Sequence, residues 1–408
     1  MLPLRPIIAL AGLAGWLSRV SRQGSGVMVS GRLLLKIAPH AVRTLSRDKK
    51  VILVSGTNGK TTTTSLIYHA LASENKVATN FTGANLFAGI AETLGRSRNA
   101  TLVVLEVDEM VMPWAIDETK PRLIVLLNLG RDQLDRLSEV RQVAQKWKTA
   151  LTRIPPYCVV LADADDPFVT WAAKDWVNVI WFTSGAIGHI DASTCPECGI
   201  ILDWSKDQST YSCTCGFKKP QPEWIMRGNT LTGPERKEIV VRTAIPGAAA
   251  MSNAGRAIVA ASIFKVDGEK AAEAIASVSS VDGRFGKLTI GATTFRLLLS
   301  KNPASWRETL TTSALGPKNV LLVVNANTQD GKDTSWLWDV DFSPLQGRNV
   351  IVTGERKLDL SVRLTVNEIP HQIADTEAKA ATIFGASEAD IIASYTAFHR
   401  LSKLVKRR

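Results

Sequence analysis

The clearest pattern along the chain is a series of short, unbroken apolar runs separated by longer amphipathic stretches. Val51-Ile52-Leu53-Val54, Leu102-Val103-Val104-Leu105, Leu123 to Leu127 and Cys158 to Ala162 show no polar alternation. That is the signature of strands buried on both faces of a parallel sheet. Helical spacing follows the first run at Thr62 to Ala72 and recurs between the others. Strand alternating with helix predicts a doubly wound α/β sheet. From about 189 to 233 the pattern changes to cysteines, short polar strands and turns, which we read as an insert. Helical period returns at Met251 to Phe264, and a turn at Asp282-Gly283-Arg284 leads into a second α/β unit with strands at Leu321 to Val324 and Val350 to Val352. The expected organisation is a helical lead-in over 1–46, a central domain over 47–283 that contains the 189–233 insert, and a smaller C-terminal α/β domain over 284–408.

Within the lead-in, Ile7, Leu10, Ala11, Ala14 and Leu17 share a face, which predicts an amphipathic helix that either packs on the body of the protein, the favoured reading, or lies on a membrane surface. The apolar stretch is shorter than the roughly 20 residues a spanning helix needs. With 45% hydrophobic and 21% charged residues in 408, the chain has the balance of a soluble globular protein of two or three domains. Its net charge of +11 admits nucleic acid, an anionic membrane surface or anionic substrates as partners. No basic run with interleaved aromatics is present, so nucleic acid is set aside.

The candidate chemistry begins where the first strand ends. Ser55-Gly56-Thr57-Asn58-Gly59-Lys60-Thr61-Thr62 lies between an apolar strand and a helix, the place for a phosphate cradle. Backbone N–H groups of Gly56, Thr57, Asn58 and Gly59 would face the phosphates of ATP, with Lys60 on the terminal ones and the Thr61 hydroxyl on Mg²⁺. Glu106 ends the next buried strand and is the expected second Mg²⁺ ligand, whereas Asp108 and Glu109 read as a surface turn. In the insert, Cys195-Pro-Glu-Cys198 and Cys213-Thr-Cys215 form two knuckles, and four converging thiolates predict a closed, structural Zn²⁺ site. Cys158, in an apolar run, reads as inert core.

These motifs resemble the Mur ligase family, and more narrowly its MurT-type branch, the ligase subunits of lipid II isoglutaminyl synthases. The resemblance rests on the phosphate loop, Asn80-Phe-Thr-Gly-Ala-Asn85, Glu106-Val-Asp-Glu109, Asn128 with Arg131-Asp-Gln-Leu-Asp-Arg136, the cysteine insert, Lys301-Asn302-Pro303-Ala304 and Asp330-Gly-Lys-Asp333-Thr-Ser-Trp336-Leu-Trp-Asp339-Val-Asp341-Phe342. It implies a Mur-type central P-loop domain, a zinc-ribbon-like insert and a small C-terminal α/β domain. It implies ATP-dependent amidation of the D-glutamate α-carboxylate of lipid II to D-isoglutamine through an acyl phosphate. The ammonia would come from a GatD-type glutaminase subunit, in the cytoplasm or at the inner face of the plasma membrane. By the same resemblance Thr62, Asn80, Asn253 and Arg284 would join the nucleotide site, and Asp330 or, second, Asp333 would complete the partner's catalytic triad. The competing expectation is a stand-alone Mur ligase or folylpolyglutamate synthetase that joins an amino acid.

Overall fold

The computed structural model describes residues 4–21, 26–80, 83–130, 137–185, 192–278 and 285–405. The chain forms two compact units, one built from 1–130, 138–243 and 251–278, the other from 131–137, 244–250 and 279–408.

In the first unit the order is α1 (Leu4–Val20), α2 (Val27–Ile37), α3 (Ala41–Ser46), β1 (Lys50–Ser55), α4 (Lys60–Ala72), β2 (Val77–Thr79), α5 (Phe87–Arg96), β3 (Leu102–Glu106), α6 (Met112–Thr119), β4 (Leu123–Leu126), α7 (Leu137–Leu151), β5 (Val159–Asp163), α8 (Pro167–Ala173) and β6 (Val179–Thr183). There follow β7 (Asp203–Trp204), β8 (Tyr211–Ser212), β9 (Trp224–Arg227), β10 (Thr230–Thr232), β11 (Glu238–Val240), α9 (Ala248–Ile263) and α10 (Gly268–Ala276). Nine strands join one sheet in the order β11-β10-β9-β6-β5-β4-β1-β3-β2, parallel from β2 through β9 and antiparallel from β9 to β11. The four apolar runs are the adjacent strands β5-β4-β1-β3, each with a strand on both sides and buried, as unbroken hydrophobicity requires.

Two details differ from the sequence reading. Trp224–Arg227 and Thr230–Thr232 extend the main sheet through the pairing of β6 with β9, so the insert ends before Trp224 and not at 233. Strands of two to four residues carry too little periodicity to be separated from the insert's own short β7–β8 ribbon. The lead-in helix also turns another face inward. Ile7, Ala11, Gly15 and Ser18 are its buried residues, while Leu10 and Leu17 are exposed. Small residues decide this: a Cβ on Gly15 would stand 2.9 Å from the Gly26 carbonyl oxygen. On the far side of α2, a Cβ on Gly31 would stand 1.8 Å from the Ala88 oxygen, so α2 packs backbone-close on α5. Ile7, Ala11 and Leu34 thereby join the same core as Val51, Leu53 and Val103.

The second unit runs β12 (Phe285–Ile290), β13 (Thr293–Leu299), α11 (Pro303–Ala314), β14 (Asn319–Val323), β15 (Asn349–Thr353), α12 (Lys357–Val366), β16 (His371–Ile373), α13 (Glu377–Phe384), β17 (Glu388–Ala393) and α14 (Tyr395–Val405). Its sheet has the order β12-β13-β17-β14-β15-β16, with β12 antiparallel to β13 and the remaining pairs parallel. Along β14, Val320 and Leu322 enter one core with Trp306, Trp336 and Phe342, while Leu321 and Val323 enter another with Phe295 and Phe398. Lys301-Asn302-Pro303-Ala304 has a local explanation. Asn302 caps α11 by accepting from Ser305 N at 3.0 Å, the Ser305 hydroxyl returns to the Asn302 N–H at 2.9 Å, and Pro303 fills the first helical position.

Candidate active site

The phosphate loop turns between β1 and α4 on two glycines with positive φ, Gly56 at 147° and Gly59 at 84°. Side chains are excluded at Gly56 twice over, since a Cβ would also meet Leu127 Cβ at 2.8 Å. Asn128, just past β4, clasps the loop. Its carbonyl oxygen accepts from Thr57 N at 2.8 Å, and its amide accepts from Asn58 N at 2.9 Å and donates to Asn58 O at 3.0 Å. Lys60 opens α4 and folds back, with Nζ donating to Gly56 O at 2.6 Å and Thr57 O at 3.2 Å. Thr61 and the buried Thr62 follow in the first turn. Asn253, on α9, is buried and lies against Gly59, where a Cβ would sit 3.1 Å from its Oδ1.

The sequence reading missed Glu109. Its Oε1 lies 3.0 Å from Lys60 Nζ, with the two side chains only 16% and 11% exposed. Burial pushes the Glu109 carboxyl above its ordinary value, and the Lys60 charge opposes that shift. Nothing in the local pattern separates Glu109 from its neighbour, because both follow an apolar strand. Asp108 behaves as the turn residue expected, accepting from Met110 N at 2.9 Å.

Glu106 is the last residue of β3 and is buried, with Oε1 accepting from Asn85 Nδ2 at 3.1 Å. Asn80 sits beside it but uses its amide on the main chain. It accepts from Glu106 N at 2.8 Å and donates to Glu106 O at 2.8 Å and Ala84 O at 3.0 Å. In this structure Asn80 therefore fixes the strand end that carries the carboxylate. Arg284, residues 131–136 of the Arg-Asp-Gln-Leu-Asp-Arg motif, and Phe81 and Thr82 of the Asn80 motif lie outside the described residues.

The insert brings its cysteines together. Cys195 Sγ is 3.7 Å from Cys215 Sγ, Cys198 Sγ is 3.5 Å from Cys213 Sγ, and all four sulfurs lie within 4.8 Å of one another. A tetrahedron with metal–sulfur bonds of about 2.3 Å has sulfur–sulfur edges of about 3.8 Å, so the four thiols fit such a site. The second knuckle is one residue shorter yet closes in the same way. Cys195 N donates to Ile200 O and Cys213 N to Phe217 O, each at 2.7 Å. Polar ties hold the insert to the sheet unit: Tyr211 Oη donates to Thr170 Oγ1 at 2.7 Å, and Lys219 Nζ lies 2.6 Å from Asp165 Oδ1. Burial alone would push the Asp165 carboxyl up, but Lys219 and the bonds from Thr183 and Ser184 hold it below its ordinary value. Cys158 stands apart, buried, its thiol pushed up to about 12 by desolvation.

In the second unit the aspartates divide by partner. Asp330 is half-buried and accepts from Thr396 N at 2.8 Å, Thr396 Oγ1 at 2.5 Å and Asn327 N at 3.1 Å. Asp333 is exposed and accepts from Ser335 N at 2.8 Å, which holds its carboxyl below the ordinary range. Asp341 likewise holds the turn at Ser343. Trp336 is core, whereas Trp338 is exposed with the Arg363 guanidinium 5.1 Å above its ring.

The cradle on β1, the carboxylate ending β3 and the asparagine after β4 together define a P-loop ligase of the Mur type. Residues 54–261 match the family described as the Mur ligase middle domain, and the chain belongs to the Mur ligase family. Residues 299–398 match the MurT ligase C-terminal domain, which identifies the branch. The chain is 29% identical over 393 residues to the MurT subunit of the glutamine-hydrolysing lipid II isoglutaminyl synthase of Staphylococcus aureus (strain N315), covering 89% of this chain and 87% of that one. It is 28% identical over 422 residues to the corresponding subunit of Streptococcus pneumoniae (strain ATCC BAA-255 / R6), covering 95% and 94%. Among solved structures, the MurF ligase of Thermotoga maritima in complex with ADP shares the fold, with a TM-score of 0.65 and 15% identity over 93% of this chain and 84% of that one.

Proposed function

We propose that this chain is the ligase subunit of a lipid II isoglutaminyl synthase. In this reading it converts the D-glutamate α-carboxylate of the stem peptide to an amide with ATP and ammonia, in the cytoplasm. The observation that carries the reading is the coexistence, in one chain, of an intact Mur-type phosphate loop and the MurT C-terminal domain. A carboxylate resists amination until one oxygen becomes part of a leaving group. The substrate carboxylate would attack the γ-phosphorus and release ADP, and ammonia would then attack the acyl carbon as phosphate departs. Lys60 and the loop N–H groups would bind the phosphates, and Lys60 must leave its self-contacts on Gly56 and Thr57 to do so. Thr61 and Glu106 would hold Mg²⁺, which when bound neutralises charge that builds on the transferring phosphoryl group. Asn253 would close the loop's far side. Cys195, Cys198, Cys213 and Cys215 would hold a structural Zn²⁺ with no open position.

The ammonia would come from a GatD-type glutaminase subunit, whose site Asp330 would complete. Three hydrogen bonds orient Asp330 and leave about one of its roughly four acceptor positions for a partner. The test supplies ammonium salt to the chain alone with ATP and lipid II. The expected result is ADP together with an amidated stem peptide. ADP formation that requires an added amino acid, and yields a peptide-extended product, would overturn the proposal.

A further inference from the structure

We propose that the outward face of α1 docks the enzyme on an anionic phospholipid surface, the helix lying in the plane of the headgroups. With Ile7, Ala11, Gly15 and Ser18 turned to the core, the opposite face carries Leu10, Leu13, Trp16, Leu17 and Val20, between 52% and 62% exposed. At about 100° per residue these five span an arc of about 120°. Only apolar positions fall within it, the gaps being taken by Pro6 and Ala9. A helix that is apolar on both its buried and its exposed side has a second partner to satisfy. At 17 residues it is not a spanning helix, and no described helix is long and apolar enough to cross a membrane.

Charge selects the partner. The first 50 residues carry nine lysines and arginines and one acidic residue, Asp48, so most of the chain's excess of +11 is concentrated here. Arg5 and Arg19 are exposed and lie along one edge of the apolar arc, on the side of Trp16. Glu92, whose carboxyl feels the Arg19 charge, is buried and paired with Arg96 at 2.6 Å. A second copy packed face to face would set these arginines against their own kind, whereas anionic headgroups complement them. Apolar side chains sunk beneath a basic rim, with a tryptophan at the boundary, suit a helix lying in a bilayer interface. The purpose of docking rests on the lipid II reading, because a lipid-linked acceptor is confined to the membrane surface; the docking itself does not.

The experiment is co-sedimentation of the full chain with phosphatidylcholine vesicles, with and without phosphatidylglycerol. Wild type is expected to bind the anionic vesicles and to release as salt rises. Leu13→Glu/Trp16→Glu should lower binding at least about tenfold, and Arg5→Gln/Arg19→Gln several-fold, with melting temperature and nucleotide affinity unchanged in both. Indifference of wild type to phosphatidylglycerol vesicles, or undiminished binding by both variants, would overturn the proposal. So would variants that alter only the self-association mass, which would make the face a dimer contact. Vesicle binding without amidation defeats the ligase reading alone, and amidation of detergent-dispersed lipid II without vesicle binding defeats the docking alone.

Discussion

The phosphate loop and the Asp330 loop both follow a strand of a parallel sheet, but they are held in opposite ways. The phosphate loop takes its shape from its own residues, two positive-φ glycines and a lysine that bonds back to its loop, with Asn128 as an outside clasp. The Asp330 loop is fixed from a distance, by Thr396 at the start of α14, 66 positions later. A loop that encodes its own geometry can be assigned residue by residue. One that borrows its geometry can be recognised only as a segment. The same contrast separates their charges: Lys60 is poised to exchange its partners for phosphate, while Asp330 is already committed to three donors.

Breaking the first loop should have the largest consequence. Lys60→Met removes the cation that meets the transferring phosphoryl group and should lower ATP turnover by about 10²–10³-fold or more. Steady-state phosphate release checks this, and a loss of less than tenfold would move the phosphates elsewhere. Next comes the cysteine cluster. Cys195→Ser should abolish stoichiometric zinc and lower the melting temperature by several degrees, with chelation of wild type having the same effect. Zinc retained by the variant, measured by elemental analysis, would contradict a four-thiolate site.

The two aspartates sharpen the comparison further. Asp330→Asn should cost about 1–2 kcal/mol of stability by weakening its bonds to α14, and it should also depress glutamine hydrolysis by the complex. Asp333→Asn removes one exposed bond and should stay within about 0.5 kcal/mol of wild type. Denaturant melts and glutaminase assays on both separate structural from catalytic loss. If Asp333→Asn alone silences the glutaminase, the assignment passes to Asp333.

The smallest expected effect is at Glu109. Because its folded pKa is raised, its contribution to stability is present below the unfolded value of 4.5 and is lost as pH rises through the folded one. Glu109→Gln lacks that loss, so its melting temperature should gain on wild type as pH rises across that window. Its nucleotide affinity should improve a few-fold, since Lys60 is no longer shared. Parallel pH curves for the two proteins would contradict the raised pKa.

How far these features could be read from the sequence follows the range of the interactions that set them. Buried strands such as Val51 to Val54 announce themselves by unbroken hydrophobicity, and the cysteine knuckles by spacing. The short strands Trp224–Arg227 and Thr230–Thr232 did not, because three or four residues cannot display a period. The inward face of α1 was misplaced because Gly15, not a large apolar residue, sets the closest approach. Glu109 was overlooked because its partner is 49 positions away in sequence. In the Asp330 to Phe342 segment Asp333 and Asp341 each hold a local turn, a role that the spacing of aspartates does not announce.

The most direct test of the central claim follows the nitrogen. The chain, a GatD-type glutaminase, ATP, lipid II and glutamine labelled with ¹⁵N at the side-chain amide are combined, and the stem peptide is sequenced by mass spectrometry. The account predicts one ¹⁵N in place of an oxygen at the D-glutamate α-carboxyl, dependent on ATP and lost with Lys60→Met. An unlabelled carboxylate, or a stem peptide lengthened by an amino acid, would contradict it.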